Sequence, residues 1–388
     1  MRENRWRQRI TVYSFMGCIV GVAAVLMIAP EKEVSQSERR RLTKQPELTT
    51  TTLFNESFME DLEKYLLDQF PVRDGLRRIK AYFAYNVLGQ KENNGIYVVQ
   101  GQASKLEYPL NEASVKRLAN KMQQIKEQYF PQARTCYAIV PDKNYFLAQA
   151  NGYPSIEYTQ MIEVLHQELN NSAQKEDFEY IDLIQGLTIE KYYHTDTHWR
   201  QEQILDTAEQ IEKAFGIQLD EKTYSRHEIS DFYGVYYGQA ALPMEPDTIV
   251  YLTNHVTDTA YVWNMEENME KGAVIMPYDE RAVLGPVYRL DKLEGELNFD
   301  KYDVFLGGAA SLQIIQSPAS ATDKRLIIFR DSYTSSLAPL LLTAYREITL
   351  IDLRYINTKL IGNYVDFEDA DILFLYNTSI VNNSSMLK

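Results

Sequence analysis

The chain has 388 residues, 45% of them hydrophobic and 24% charged, with a formal net charge of −14 at pH 7. That length holds one large domain or two modest ones, and the acidic balance argues against nucleic acid or anionic lipid as a partner. The two cysteines, Cys18 in an apolar run and Cys136 on a predicted buried strand, predict no internal disulfide, and no Cys/His cluster suggests structural zinc.

At the N-terminus, Arg2, Arg5, Arg7 and Arg9 precede an uncharged apolar run from Ile10 to Ala29. This is roughly the 20 residues that a helix needs to cross a bilayer. The arginines predict a cytoplasmic N-terminus and an extracytoplasmic remainder, which makes the chain a single-pass cell-membrane protein. The rival reading is a cleaved signal peptide. Its apolar stretch is usually shorter and ends in a small-x-small site, and Leu26-Met-Ile-Ala-Pro-Glu is a poor one. With four arginines and one glutamate in the first 30 residues, the exported part carries −17.

The predicted organisation is a cytoplasmic tip and anchor (1–30), a juxtamembrane spacer with helices (31–90) and a main domain (91–388). Glu31 to Thr52 is polar and charged. Phe54 to Leu88 places Phe58, Leu62, Leu66, Leu76, Ile79, Tyr82 and Phe83 at helical spacing, with a break at Phe70-Pro71. From Gly95 the pattern changes to strands (Gly95 to Val99, Thr135 to Pro141, Tyr180 to Ile184) alternating with helices (Asn111 to Phe130, Thr159 to Leu169, Gln201 to Phe215). Phe232 to Tyr288, rich in tyrosine, reads as irregular loops and β-structure. Asp303-Val-Phe-Leu-Gly-Gly reads as a strand and glycine turn. Strands at Leu326 to Phe329, Ile348 to Asp352 and Ile372 to Tyr376, with a helix at Leu337 to Tyr345, complete an alternation that predicts an α/β fold with a mainly parallel sheet covered on both faces.

Two stretches carry chemistry. Tyr192-Tyr-His-Thr-Asp-Thr-His-Trp sets Asp196 two residues before His198, on one side of an extended segment. A carboxylate so placed holds an imidazole in the tautomer of a general base. His194, Asp196 and His198 alternate and could present metal ligands on one face, but no second-half ligand set is evident and no metal or cofactor is expected. Arg325-Leu-Ile-Ile-Phe-Arg-Asp-Ser breaks from a β-type run into a helix at Ser332, the sequence form of an exposed nucleophile. Read blandly, Ser332 is a helix cap. Lys143 follows a strand end where ligand loops occur. Trp199 suits either a sugar-stacking platform or a core position under the loop.

Six motifs in order carry a resemblance: Glu38-Arg-Arg-Arg-Leu, Asp68-Gln-Phe-Pro-Val-Arg-Asp, Tyr193-His-Thr-Asp-Thr-His-Trp, Tyr302-Asp-Val-Phe-Leu-Gly-Gly, Arg330-Asp-Ser-Tyr and Asp352-Leu-Arg-Tyr. Together the chain resembles the DHHW proteins, which are similar to alginate O-acetyltransferases of the AlgJ/AlgX type, an SGNH-hydrolase-like group. The resemblance implies a three-layer, flavodoxin-like α/β/α domain. It also implies a triad of Ser332 (nucleophile), His198 (base) and Asp196 (orienting acid) acting on acetyl groups of an exported or cell-surface polysaccharide, beside a membrane-bound O-acyltransferase. The alternatives are an acetylesterase, or a non-catalytic glycan-binding scaffold of an acyltransferase complex. Thr197 replaces the middle His of the motif. Where the resemblance leads one to expect Gly-Gly-Asn, this chain has Gly307-Gly308-Ala309. An oxyanion hole would then draw on backbone N–H groups of Ser332 and a glycine, with Arg330 or Tyr333. Losing one such donor typically costs about 10²–10³ in rate.

Overall fold

Short apolar runs buried on both sides need helices on both faces of a sheet, and the computed structural model has this arrangement. It describes all residues except 1, 36, 55–56, 171–177, 221, 266, 269–272, 275–282 and 295–299. Eight strands form the main sheet: β1 (Thr135–Val140), β2 (Glu179–Ile181), β3 (Tyr261–Met265), β4 (Val283–Pro286), β5 (Leu312–Gln316), β6 (Arg325–Arg330), β7 (Glu347–Ile351) and β8 (Ala370–Asn377), in spatial order β4-β3-β5-β7-β6-β8-β1-β2. From β7 to β2 all neighbours run parallel, and β5, β3 and β4 add antiparallel pairs at one edge.

Alternation along β6 divides the core. Leu326 and Ile328 face one layer with helices α7 (Leu205–Ala214) and α8 (Thr334–Leu341). Ile327 and Phe329 face the other, with α4 (Glu112–Tyr129) and α6 (Tyr158–Asn170). Asn111 begins α4 as predicted, its side chain accepting the Ser114 N–H at 3.1 Å. Phe329 stacks on Phe374 of β8 at 4.5 Å, so the central strands are locked together where β6 hands over to Ser332.

Two expectations change. Lys301–Val304 is a 3₁₀ turn rather than a strand, started by the Asp300 side chain accepting the Tyr302 N–H at 2.9 Å. Its apolar residues Tyr302 and Val304 are buried by packing, and the short apolar run Val304-Phe-Leu does not distinguish the two outcomes. The antiparallel edge was not legible in strands β3 and β5, because their inward polar residues Asn264 and Gln313 interrupt the apolar pattern and bond to each other instead. Part of the Tyr-rich stretch lies outside the described residues.

The chain separates into two units, residues 1–93 with 237–243, and residues 94–236 with 244–388. The sheet belongs to the second. In the first, α1 (Arg2–Ile28) contains a 23-residue stretch from Trp6 to Ile28, long enough to cross a membrane, within which an 18-residue window has a mean hydropathy of 2.2 and no buried residue. After it come α2 (Ser57–Asp68) and α3 (Arg73–Tyr82), separated at Phe70-Pro71 as predicted. Asp68, at the end of α2, accepts two bonds from Arg40 and two from Thr43, which folds the Glu38-Arg-Arg-Arg segment onto the α2–α3 junction.

Candidate active site

The parallel strands β6, β7, β8 and β1 end along one edge of the sheet, where α/β folds place their reactive loops. β6 ends in Arg330, and the turn Asp331-Ser332-Tyr333 leads into α8. Asp331 shapes this turn. Its buried carboxylate accepts the Tyr333 N–H at 3.0 Å and, across the sheet, the Asn377 N–H of β8 at 2.6 Å. Ser332 is left half-buried, and among the described residues its own N–H has no acceptor.

The Asp196/His198 loop is delivered from another direction. Residues 192–199 form a tight reversal rather than the expected extended segment: Tyr192 bridges Trp199, and the Tyr193 N–H donates to the His198 carbonyl at 3.1 Å. The carboxylate still reaches the imidazole, because Asp196 Oδ1 accepts both the His198 backbone N–H at 3.0 Å and Nδ1–H at 2.6 Å. A carboxylate only accepts, so the proton must sit on Nδ1, and Nε2 is left as the acceptor. Nε2 lies 2.8 Å from Ser332 Oγ. The three side chains thus form one hydrogen-bonded line, in which the link from His198 to Ser332 spans 134 residues of sequence. Tyr302 stacks flat on the imidazole at 3.9 Å, a face that favours a positive charge forming there. Tyr302 itself is held by its hydroxyl donating to Ser336 at 2.9 Å.

The loop is fixed from below by residues that sequence reasoning missed or placed differently. Asp247 accepts the N–H groups of His194 and Thr195 and the Thr195 hydroxyl, all within 2.8 Å. Burial works against its carboxylate, but the bonds from His194 and Thr195 outweigh this and hold it below the usual carboxylate range. His194 also pairs with Asp247 through Nδ1, at 3.2 Å. Gly234 lies so close that a Cβ there would sit 2.3 Å from the Asp196 Cβ, and the next N–H, of Val235, donates to Asp196 Oδ2 at 2.8 Å. The tyrosine-glycine run signalled a turn there but gave no sign of its partner.

Four residues expected to bind substrate are enclosed instead. Trp199 is 0% exposed and its indole N–H donates to the Tyr333 carbonyl and Ser336, which excludes a stacking platform and makes it a floor under the loop. Lys143 is buried at the start of α5 (Lys143–Leu147), and its Nζ donates to the carbonyls of Tyr193, His194 and Asp196 at 2.7, 3.0 and 3.2 Å. Burial pushes its ammonium down to about 7, with Asp247 and Asp196 opposing. Arg330 is buried, its two terminal nitrogens donating to Gln313, Ser335 and the Asp331 carbonyl, and burial lowers its guanidinium from the ordinary arginine value. Tyr333 donates its hydroxyl to the Thr197 carbonyl at 2.6 Å. The glycine turn follows with φ of +83° at Gly307 and +93° at Gly308, and a Cβ on Gly308 would meet the Asp303 carboxylate at 2.6 Å. Both glycine N–H groups already donate, to the carbonyls of Asp303 and Phe305. Of the backbone donors expected, the Ser332 N–H is therefore the one left open.

No family model matches the chain, and no curated protein does. Among solved structures, a DHHW family protein from Eubacterium siraeum is similar at 17% identity and TM-score 0.57, covering 76% of this chain and 94% of that one. Bacillus cereus PatB1 carrying a sulfonyl adduct is similar at 17% identity and TM-score 0.54, over 74% and 95%. The O-acetyltransferase domain of Pseudomonas putida AlgJ is found at 11% identity and TM-score 0.40, over 74% and 92%. The fold is thus the α/β fold of the DHHW protein and PatB1.

Lys143→Met should cost about 2–4 kcal/mol in denaturant unfolding, since three buried carbonyls lose their donor. A second expectation concerns Asp142, the cap of α5, which burial pushes up to about 6, helped by Glu107 and opposed by bonds from Thr378 and Tyr158. The folded chain holds this proton to higher pH than the unfolded chain. The resulting stability is complete below the ordinary value of 3.8 and is lost as pH rises through about 6. Unfolding midpoints should therefore fall across that window, by about 3 kcal/mol from this group, and Asp142→Asn should flatten that slope.

Proposed function

We propose that the chain is a membrane-anchored, extracytoplasmic O-acetyltransferase that esterifies hydroxyl groups of a cell-surface or exported polysaccharide. The observation that carries the reading is the 2.8 Å contact of His198 Nε2 with Ser332 Oγ, with Nδ1 committed to Asp196. In the first half-reaction Ser332 Oγ attacks the acetyl carbonyl while its proton passes to Nε2. The tetrahedral oxyanion sits at the open Ser332 N–H near the start of α8. Collapse breaks the bond to the donor's leaving group, which takes the proton from Nε2, and leaves acetyl-Ser332. In the second half, Nε2 removes the proton from a sugar hydroxyl, whose oxygen attacks the ester; collapse breaks the acetyl–Oγ bond, and Ser332 Oγ takes the proton back from Nε2. Asp196 and the Tyr302 face stabilise the imidazolium in both.

The acceptor class comes from the motif resemblance, as does the expected partner, a membrane-bound O-acyltransferase delivering acetyl. With water as acceptor, the same triad is an acetylesterase. The missing Asn side chain at 309 favours slow turnover, because the oxyanion then has fewer donors.

Ser332→Ala should lower hydrolysis of p-nitrophenyl acetate by about 10⁴-fold with an unchanged circular-dichroism spectrum. Unchanged hydrolysis would remove Ser332 from the mechanism. Adding an unacetylated oligosaccharide to the wild-type chain should divert acetyl from water to sugar, read by mass spectrometry. Release of acetate alone at every acceptor concentration would replace transferase with esterase.

A further inference from the structure

Helix α3 is turned the wrong way round for a soluble protein. Its charged side packs inward. Arg73 and Arg77 pair with the partly buried Glu38, Arg77 also donates to the Gly238 carbonyl at 2.8 Å, and Ala81 beside them is buried. Its apolar side faces out. Val72, Leu76, Ile79 and Phe83 recur every three to four residues, which puts them on one stripe, and they are 77%, 47%, 66% and 51% exposed. Tyr82 borders the stripe, also exposed. A helix that follows the usual rule buries such a face against the core.

The place of α3 within its unit bears on what could cover this stripe. Lys32, a few residues past the end of α1, exchanges two bonds with Gln69 at the α2–α3 junction: its N–H donates to Gln69 Oε1 and its carbonyl accepts from Nε2, both at 3.0 Å. Tyr65 of α2 donates to Glu31 at 2.9 Å, and Leu66 lines a cleft with Ile19, Val22 and Leu26 of α1. The junction from which α3 starts is thus tied to the exit of the apolar helix. An exposed apolar stripe with aromatics and flanking Arg78 and Lys80, beginning where a membrane span ends, has the pattern of a helix lying in the interface.

We propose that α3 lies on the outer leaflet, with Val72, Leu76, Ile79 and Phe83 inserted among the lipids, so that the chain meets the membrane at a second point besides its anchor. The proposal rests on the anchored reading given above. The driving force is apolar burial, so neutral lipid suffices.

The full chain carrying Cys18→Ser, with the buried Cys136 kept, is reconstituted into phosphatidylcholine vesicles with an environment-sensitive fluorophore on single introduced cysteines. Ile79→Cys and Phe83→Cys probe the stripe, Asp74→Cys and Arg78→Cys the other side, and Val20→Cys the anchor. Labels at 79 and 83 should emit at shorter wavelength than those at 74 and 78, and should be quenched by doxyl-labelled lipid rather than by iodide. Doxyl quenching at 20 with iodide quenching at 79 and 83 would overturn the surface contact alone. Short-wavelength emission at 79 and 83 without doxyl quenching would mean that protein covers the stripe, which also overturns it. No doxyl quenching at 20 would overturn the anchor, and this proposal with it.

Discussion

An imidazole can serve a nucleophile only if one of its nitrogens is free of its proton, and the rest of the candidate site depends on how this is achieved. Asp196 commits His198 Nδ1 as a donor, so Nε2 meets the Ser332 hydroxyl as an acceptor. The carboxylate has to be immobile for this to hold. It is fixed by the Val235 N–H, by the tight approach of Gly234, and by a loop whose carbonyls converge on Lys143 and whose N–H groups converge on Asp247. One buried lysine and one buried carboxylate therefore organise the two sides of a single turn. Each satisfies polar groups that would otherwise be costly to bury.

The sheet supplies the other half. β6, buried from Leu326 to Arg330, stops at a residue whose turn is determined by Asp331 and by the neighbouring strand β8, and Ser332 follows at the edge of the core. Trp199, Tyr333 and Thr197 then join the two halves: the indole supports the start of α8, and the Tyr333 hydroxyl closes back on the Thr197 carbonyl. Thr197, at the position named for histidine in the resembling family, thus serves this seam, and the Tyr236 hydroxyl donates to it as well. Several residues that chemistry alone would propose as ligand groups are enclosed because they support the contact of Asp196, His198 and Ser332.

Strands such as Leu326 to Phe329 could be read directly, because an apolar run between turn signals has few other uses in an alternating chain. Asp196, His198 and Ser332 could also be read, each from its local pattern, and the structure brings them together. Other features were not legible. The reversal at 192–199 depends on Lys143 and Asp247, some 50 residues away on either side, and no local period encodes such a contact. Gly234 signalled a turn, while its true constraint is the Asp196 Cβ. The 3₁₀ turn at Lys301–Val304 and the inverted helix α3 share one cause: hydrophobic spacing says that a face exists but not what lies against it.

Acetyl transfer through Ser332 is tested most directly by trapping the intermediate. The chain is mixed with p-nitrophenyl acetate, quenched in acid and digested, and the peptides are sequenced by mass spectrometry. The account predicts an acetyl ester on Ser332 in the wild-type chain and none in His198→Ala. Ester turnover with Ser332 unmodified, or acetyl accumulating on another side chain, would contradict it.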